Sequence, residues 1–485
     1  MAALRQRDES NAGLDSLGAM QEVLPPGAAV VDAGASQGEL PAYAVLLVAA
    51  LAAAIGAQGA FYRSGQVVVG IALVFAAGAA VAGRDRISGF PTGWFAVVAS
   101  AAGLGCWALV RAALAGEPGA GAGTALLLAG LVTVSGVAAG CHRADRQTLV
   151  AAMVALGVFA ALAGWAGVAW RVPPLAIRDQ DLWRAATTIT YANVAAGLLA
   201  AMALVALGLL IERRTRPRAV ALCILLLGVT ATLSRGGALA LVCGGVVLGA
   251  LLGARRVVGA LLAPALGAAV ALLGLMPSFP ESASPRPALA LVALAAGLAI
   301  VTVGTRSRTP TALLASGIVG LLAGTLLLAL VADGGSGRAV ARVRLSAVSP
   351  ERMEEASAAL RLAGEEPLVG VGPGRARLAL VDDAGRDMSA RYAHNEYLQV
   401  LAELGAVGLA GLTALLVTVG RAVGRGRRHA PSESAAMWAG GAAALVALAV
   451  HGLFDFGWHV PAVPLTGALL VGVLIPPSTY QQEEA

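Results

Sequence analysis

The chain has 485 residues, 58% of them hydrophobic and 13% charged, with a mean hydropathy of +0.79. A water-soluble globule needs far more charged surface than that. The formal net charge of +6 and the sequence pI of 9.6 come from 34 basic residues, all Arg, spread over many connectors instead of one basic stripe, so they do not indicate nucleic-acid binding.

Residues 1–40 are polar and mildly acidic, lack a basic-then-apolar leader, and read as a disordered cytoplasmic tail. Apolar runs of about 17 to 25 residues, enough to cross a bilayer as helix, then recur from about residue 42 to 476. Roughly 14 such spans fall near 43–61, 66–83, 93–114, 122–140, 148–170, 189–211, 219–233, 236–254, 257–276, 287–305, 311–332, 397–420, 435–453 and 459–476. Polar and apolar residues do not alternate along them, which argues against a β-barrel. The expected fold is an all-α polytopic membrane protein of about 12–14 transmembrane helices. Its parts are an N-terminal group of helices (41–170), a central group (171–332), one large loop (333–396), a C-terminal group (397–476) and a short cytoplasmic tail (477–485).

The four cysteines (Cys106, Cys141, Cys223, Cys243) lie in or at the end of apolar runs and form no CxxC, so neither a disulfide framework nor a zinc site is indicated. Six connectors at every second turn, from "GRDR" (83–86) to "GRAVGRGRRH" (420–429), hold 16 Arg. The short connectors on the other side hold about seven, and the positive-inside rule makes the Arg-rich set cytoplasmic. Both termini are then inside, and residues 333–396 face outward. Within that loop "SPERMEEASAALRLAG" (349–364) reads as a helix, with Ser349 as N-cap, Pro350 in the first turn and acids following. The Gly-rich "GVGPG" (370–374) lacks the Lys-Ser/Thr of a phosphate-cradling loop and reads as a tight turn.

Polar residues gather at the outward connectors. Arg235 lies between two spans in "TATLSRGGALAL" (230–241), where it is either a snorkelling helix-end Arg or a functional cation. "RDQDLWRAATTITYANVAAG" (178–197) supplies Arg184, Tyr191 and Asn193; its Asp179 and Asp181 are better read as solvated loop acids than as a cation-holding pair. "HGLFDFGWHVPAVP" (451–464) places Asp455 and His459 in the last outward turn, with helix capping as the bland role for Asp455, and no metal-ligand spacing. "RYAHNEYLQVLAELGAVGLAGL" (391–412) opens a span with Arg391, His394, Asn395, Glu396 and Tyr397. A neutral imidazole there suits a general base acting on a hydroxyl, while a histidine bonded to backbone at the start of a helix is the structural alternative. Glu403, about two turns further in, has no role legible from spacing.

These stretches resemble a known family. "HNEYLQVLAELGAVGLAGL" (394–412) is similar to the His-Asn signature of the bacterial O-antigen ligase/polymerase superfamily. Arg352 followed by "PLVGVGPG" (367–374), "LSRGG" (233–237), "TYANVAAG" (190–197) and "DFGWHVPA" (455–462) resemble its other elements in the family's order, over about residues 184 to 475. The resemblance implies a GT-C-type glycosyltransferase of the bacterial cytoplasmic (inner) membrane. Such an enzyme takes a glycan from an undecaprenyl-diphosphate carrier at the outer face and joins it to a hydroxyl on a glycan, lipid or protein acceptor, with no cofactor and no metal. It implies His394 as base, Arg235 and Arg352 as diphosphate ligands, and Arg184 as a third, less securely assigned one. Arg391, Asn395, Glu396, Tyr397, Asn193 and Asp455 are candidate supporting residues. Two departures stand out: Met353, Glu354 and Glu355 follow Arg352 where the family often has an aromatic, and about two spans are added at the N-terminus. Ligase, chain polymerase and protein O-glycosyltransferase share these motifs. An anion transporter is the alternative of a different class, which predicts inverted repeats and broken midplane helices.

Overall fold

The computed structural model describes residues 40–83, 91–306, 350–381, 386–429 and 434–475. The expected tails, the span near 311–332 and the proposed cap at Ser349 lie outside the described residues. Five helices come first: α1 (Ala42–Gly56), α2 (Arg63–Ala82), α3 (Thr92–Leu114), α4 (Pro118–Gly140) and α5 (Arg143–Trp170). A hairpin, β1 (Ala176–Asp179) and β2 (Leu182–Ala185), precedes α6 (Ala192–Glu212), α7 (Arg216–Ala231), α8 (Arg235–Leu252), α9 (Ala254–Leu275) and α10 (Pro287–Arg306). Then come α11 (Pro350–Glu365), a second hairpin of β3 (Leu378–Val381) and β4 (Asp387–Ala390), and α12 (Glu396–His429), α13 (Ala435–His451) and α14 (Ala462–Leu474).

Among the described residues nine helices are long and apolar enough to cross a membrane, and α1, α13 and α14 are apolar but shorter. The all-α polytopic expectation therefore holds, and the chain is a multi-pass membrane protein. The helices sort by what surrounds them. α6 is buried on nearly every side, between α13, α7 and α8. In lipid, apolar side chains gain little by leaving one greasy surface for another, so close packing has to hold helices together. Glycine makes that approach possible. A Cβ on Gly208 of α6 would sit 2.5 Å from the Ala436 carbonyl and 2.9 Å from the Cα of Gly440 on α13. α2 instead exposes Val67, Val68, Ile71, Val74 and Phe75, an apolar face of the kind that lipid covers.

The two short hairpins were not foreseen, because each is only four residues per strand and carries little periodicity. In the first, Asp179 pairs with Leu182, so Gln180 and Asp181 form a two-residue turn, both with positive φ (51° and 59°). That is the backbone of a primed hairpin turn. The Asp-x-Asp pattern belongs to this turn.

α12 departs from the expected uninterrupted span. Its φ/ψ at Gly405 is 67°/−169°, so the helix breaks there before running on to His429. The segment 367–372 fills the break. Val371 N–H donates to Ala402 O (2.9 Å) and Gly372 N–H to Glu403 O (2.9 Å), while Ala406 and Val407 N–H donate back to Pro367 O (2.9 Å) and Leu368 O (3.2 Å). Peptide groups that a broken helix would leave unpaired in an apolar setting are thereby satisfied. The fit demands glycine on both sides: a Cβ on Gly370 would lie 2.4 Å from the Glu403 carbonyl carbon, and one on Gly405 would lie 2.3 Å from that of Leu368. α3 closes the seam from the other side, with Trp107 Nε1 donating to Leu404 O (2.9 Å) and Arg111 Nε to Gly370 O (2.8 Å). "GVGPG" is thus more than a tight turn; it is the plug of a helix break.

Candidate active site

α11 carries the first two groups. Pro350 starts the helix and Glu351 lies in its first turn, as the N-terminal electrostatics favour. Arg352 and Glu355 stand three residues apart and so project from one face. Glu355 is buried despite its charge, because its Oε2 lies 2.6 Å from Nδ1 of His394. A carboxylate can only accept, so Nδ1 carries the proton and Nε2 remains the basic nitrogen. His394 itself has φ of +46°, a left-handed conformation that non-glycine residues rarely adopt. It is held by its successor: Asn395 Oδ1 accepts from the backbone N–H of Tyr397 and Leu398 (both 3.0 Å), and its Nδ2 donates to Leu453 O (3.1 Å). Asn395 is the N-cap of α12, which pins the helix start to the α13–α14 connector.

That connector forms the floor. Arg352 donates from Nη1 to Phe454 O at 2.7 Å, and its Nη2 lies 3.8 Å from Asp455 Oδ2. Asp455 is fully buried and accepts from Phe456 N–H (2.8 Å) and the Tyr191 hydroxyl (3.4 Å). It caps no helix; it is the buried counter-charge beneath Arg352. The Phe456 ring stacks between Tyr191 (5.2 Å between centroids) and Tyr392 (4.6 Å) and meets the His394 ring edge-on at 5.1 Å. Burial raises the hydroxyl pKa of Tyr191 and Tyr392, so both phenols stay protonated as donors.

Arg235 begins α8 and is exposed. The helix start beside it lies close to this floor: a Cβ on Gly236 would sit 3.0 Å from Phe454 Cβ. Ser234 caps α8 by accepting from Gly237 N–H (3.3 Å). Arg184, in contrast, is only 5% exposed and spends its guanidinium on protein groups. Nε donates to Thr232 O (2.8 Å), Nη2 to Asn193 Oδ1 (2.6 Å) and Nη1 to the Asp179 carboxylate. It ties the β1–β2 hairpin and the start of α6 to the turn that presents Arg235. Asn193 is a partner of Arg184, and Asp179 faces the same guanidinium.

The remaining candidates divide. Glu396 is buried, accepts from Trp458 N–H (2.5 Å) and lies 3.0 Å from His459 Nδ1. Burial opposes the charged form of His459, but the Glu396 carboxylate outweighs it and raises the imidazole pKa. Tyr397 donates to Ala449 O (2.9 Å) and packs on Trp458. Both hold α12 against the connector. Arg391 is exposed and lies over the Tyr392 ring at 5.6 Å. Glu403 accepts from Gln399 Nε2 (2.8 Å), whose Oε1 in turn accepts from Ala393 N–H (2.9 Å), next to His394. Sequence reasoning missed Glu355 as the histidine's partner and Tyr392 and Phe456 as its aromatic neighbours. The three-residue step from Arg352 to Glu355 was the one available signal. Among the described residues no cluster of three or more His, Cys, Asp and Glu side chains is arranged as a metal site.

The contacts bring the connectors after α1, α5, α7 and α13 together with α11 and the start of α12 at one end of the bundle. The chain is therefore a multi-pass membrane protein with an ionisable cluster at one end of its helices. Residues 284–413 match the family model described as O-antigen ligase. That stretch, 130 of the 485 residues, is similar to the O-antigen ligase/polymerase superfamily and supports a ligase- or polymerase-like membrane enzyme in general. The matched stretch includes Arg352, Glu355 and His394 but not Arg184, Arg235 or Asp455. No curated protein matches the chain significantly.

Proposed function

We propose that the protein transfers a glycan from an undecaprenyl-diphosphate carrier to an acceptor hydroxyl at the outer face of the bacterial cytoplasmic membrane. The observation that carries this reading is the His394–Glu355 pair, 2.6 Å apart, with Arg352 on the same helix face as Glu355. His394 Nε2 takes the proton of the acceptor hydroxyl as its oxygen attacks the anomeric carbon. The bond from that carbon to the diphosphate oxygen breaks, and the lipid diphosphate leaves with the electron pair. One direct displacement inverts the anomeric centre. Glu355 stabilises the imidazolium that forms. Arg352 and Arg235 offer guanidinium donors to the developing charge on the diphosphate. Arg184 acts as a positioning residue for the Arg235 turn, since its own donors are directed at protein acceptors.

The outward orientation is supported by the Arg asymmetry, because the short connectors at the site, those after α1, α5, α7 and α13, belong to the Arg-poor set. The break in α12 does not favour a transporter. Its peptide groups are bonded to residues 367–372 instead of being left for a cargo ion. The test is transfer by purified protein supplied with a lipid-diphosphate glycan and hydroxyl acceptors. His394→Ala is expected to abolish product formation, and transfer by this variant at the wild-type rate would overturn the reading.

A further inference from the structure

A second feature lies beside the proposed site and takes no part in it. A cavity of about 540 Å³ is lined by Arg63 at the start of α2, Glu117 between α3 and α4, Arg375 and Arg377 after the helix plug, and Arg391 before α12. Four guanidiniums face one carboxylate, a net charge of +3. Among the described residues none of the four is in an ion pair. Arg375 donates to Ala115 O, Arg377 to Gly374 O and Ala376 O, and Arg391 rests on Tyr392. The contacts of these three go to neutral groups, so Glu117 is the one carboxylate in the lining set against the four charges. Arg375, Arg377 and Arg391 come from the long 333–396 loop and Arg63 from the start of α2, and they meet at one cavity although like charges repel. The volume falls in the range of roughly 300–1,000 Å³ common to small-molecule sites, more than a single inorganic anion fills. The cavity also adjoins the catalytic histidine. Arg391 covers Tyr392, Tyr392 stacks on Phe456 at 4.6 Å, and Phe456 touches His394.

We infer that this cavity is a subsite for an anionic glycan, binding a carboxylate or phosphate-ester group on a sugar a residue or more from the reacting centre. The inference rests on the glycan-transfer reading above and adds the charge of the substrate. Guanidiniums in this arrangement form charge-assisted, forked hydrogen bonds to such groups, and the volume beside Pro373 and Gly374 leaves room for the ring that carries them.

The test uses the full-length protein in nanodiscs of zwitterionic lipid and measures equilibrium binding of three probes. They are a tetrasaccharide containing glucuronate, mannose 6-phosphate, and a neutral tetrasaccharide. At least one acidic probe is expected to bind tenfold or more tightly than the neutral one, and which of the two binds better names the anion. The double variant Arg63→Gln/Arg377→Gln is expected to weaken that binding at least about tenfold. Glu117→Gln is expected to tighten it about threefold, an outcome that misfolding cannot mimic. Arg352→Gln, at the diphosphate site, is expected to leave it unchanged. Equal affinity for neutral and acidic sugars overturns the proposal, as does indifference to the double variant or loss of binding in Arg352→Gln. Loss of binding in phosphatidylglycerol nanodiscs also overturns it, since a lipid headgroup then holds the cavity. Binding that survives where no transfer is found removes the transferase reading and leaves the subsite; transfer without acidic-sugar binding does the reverse.

Discussion

Replacing Glu355 with Gln tests the histidine assignment most directly. The carboxylate and the imidazole are 2.6 Å apart and their side chains are 11% and 25% exposed, so water screens the bond little. A hydrogen bond to a charged group contributes about 1.5–3 kcal/mol. Its loss as the imidazolium forms slows the chemical step by about 10- to 160-fold at 1.36 kcal/mol per factor of ten. A second effect adds to this. The Gln amide can donate to Nδ1, which moves the imidazole proton to Nε2 and removes the basic nitrogen from the acceptor. Together the two effects are expected to lower kcat by about 10²–10⁴. Donor KM should barely change, because Glu355 approaches the histidine and not the diphosphate. Glu355→Asp keeps the acceptor on a shorter arm and should fall between. The assay is the initial rate of glycan transfer by purified protein, with folding checked by thermal unfolding. A folded Glu355→Gln enzyme within about threefold of the wild-type kcat refutes the reasoning.

Arg352→Lys keeps the charge but loses the planar fork, so donor binding, measured by titration with lipid diphosphate, should weaken at least about tenfold. Gly370→Ala places a Cβ 2.4 Å from the Glu403 backbone at a φ of +72°. Left-handed strain of about 1–2 kcal/mol plus overpacking of about 1–3 kcal/mol predicts a clear fall in thermal midpoint, and an unchanged midpoint would refute the interlock. Asn395→Ala removes the α12 cap and should destabilise by about 0.5–2 kcal/mol, read by the same melt. His459 has a raised folded-state pKa, so its ion pair with Glu396 contributes stability fully below about pH 6.5 and loses it as pH rises through the raised value. The gap in thermal midpoint between wild type and His459→Gln should therefore shrink from pH 6 to 9; a constant gap argues against the pair.

Hydropathy alone located the membrane helices among the described residues, because twenty apolar residues in a row have no other stable arrangement in lipid. The bounds of α11, expected at 349–364, fall at Pro350–Glu365 for similarly local reasons: a proline start, acids in the first turn and a glycine-proline stop. Motif likeness singled out His394, Arg352 and Arg235, but it could not say which residues serve the others. Arg184 looked like a fellow ligand, and only the folded chain turns it onto Thr232, Asn193 and Asp179. Glu403 had no evident role until Gln399 linked it to Ala393.

What the sequence by itself determined is what short-range physics decides: the apolar spans and the alternation of Arg-rich and Arg-poor short connectors between them. What only the tertiary structure decided is partnership. Glu355 finds His394 from 39 residues away, and Gly370 meets Gly405 in a helix break that neither residue announces. Such pairings depend on how separate helices pack, and packing in lipid is set by shape and by polar groups satisfying one another, which no local pattern records.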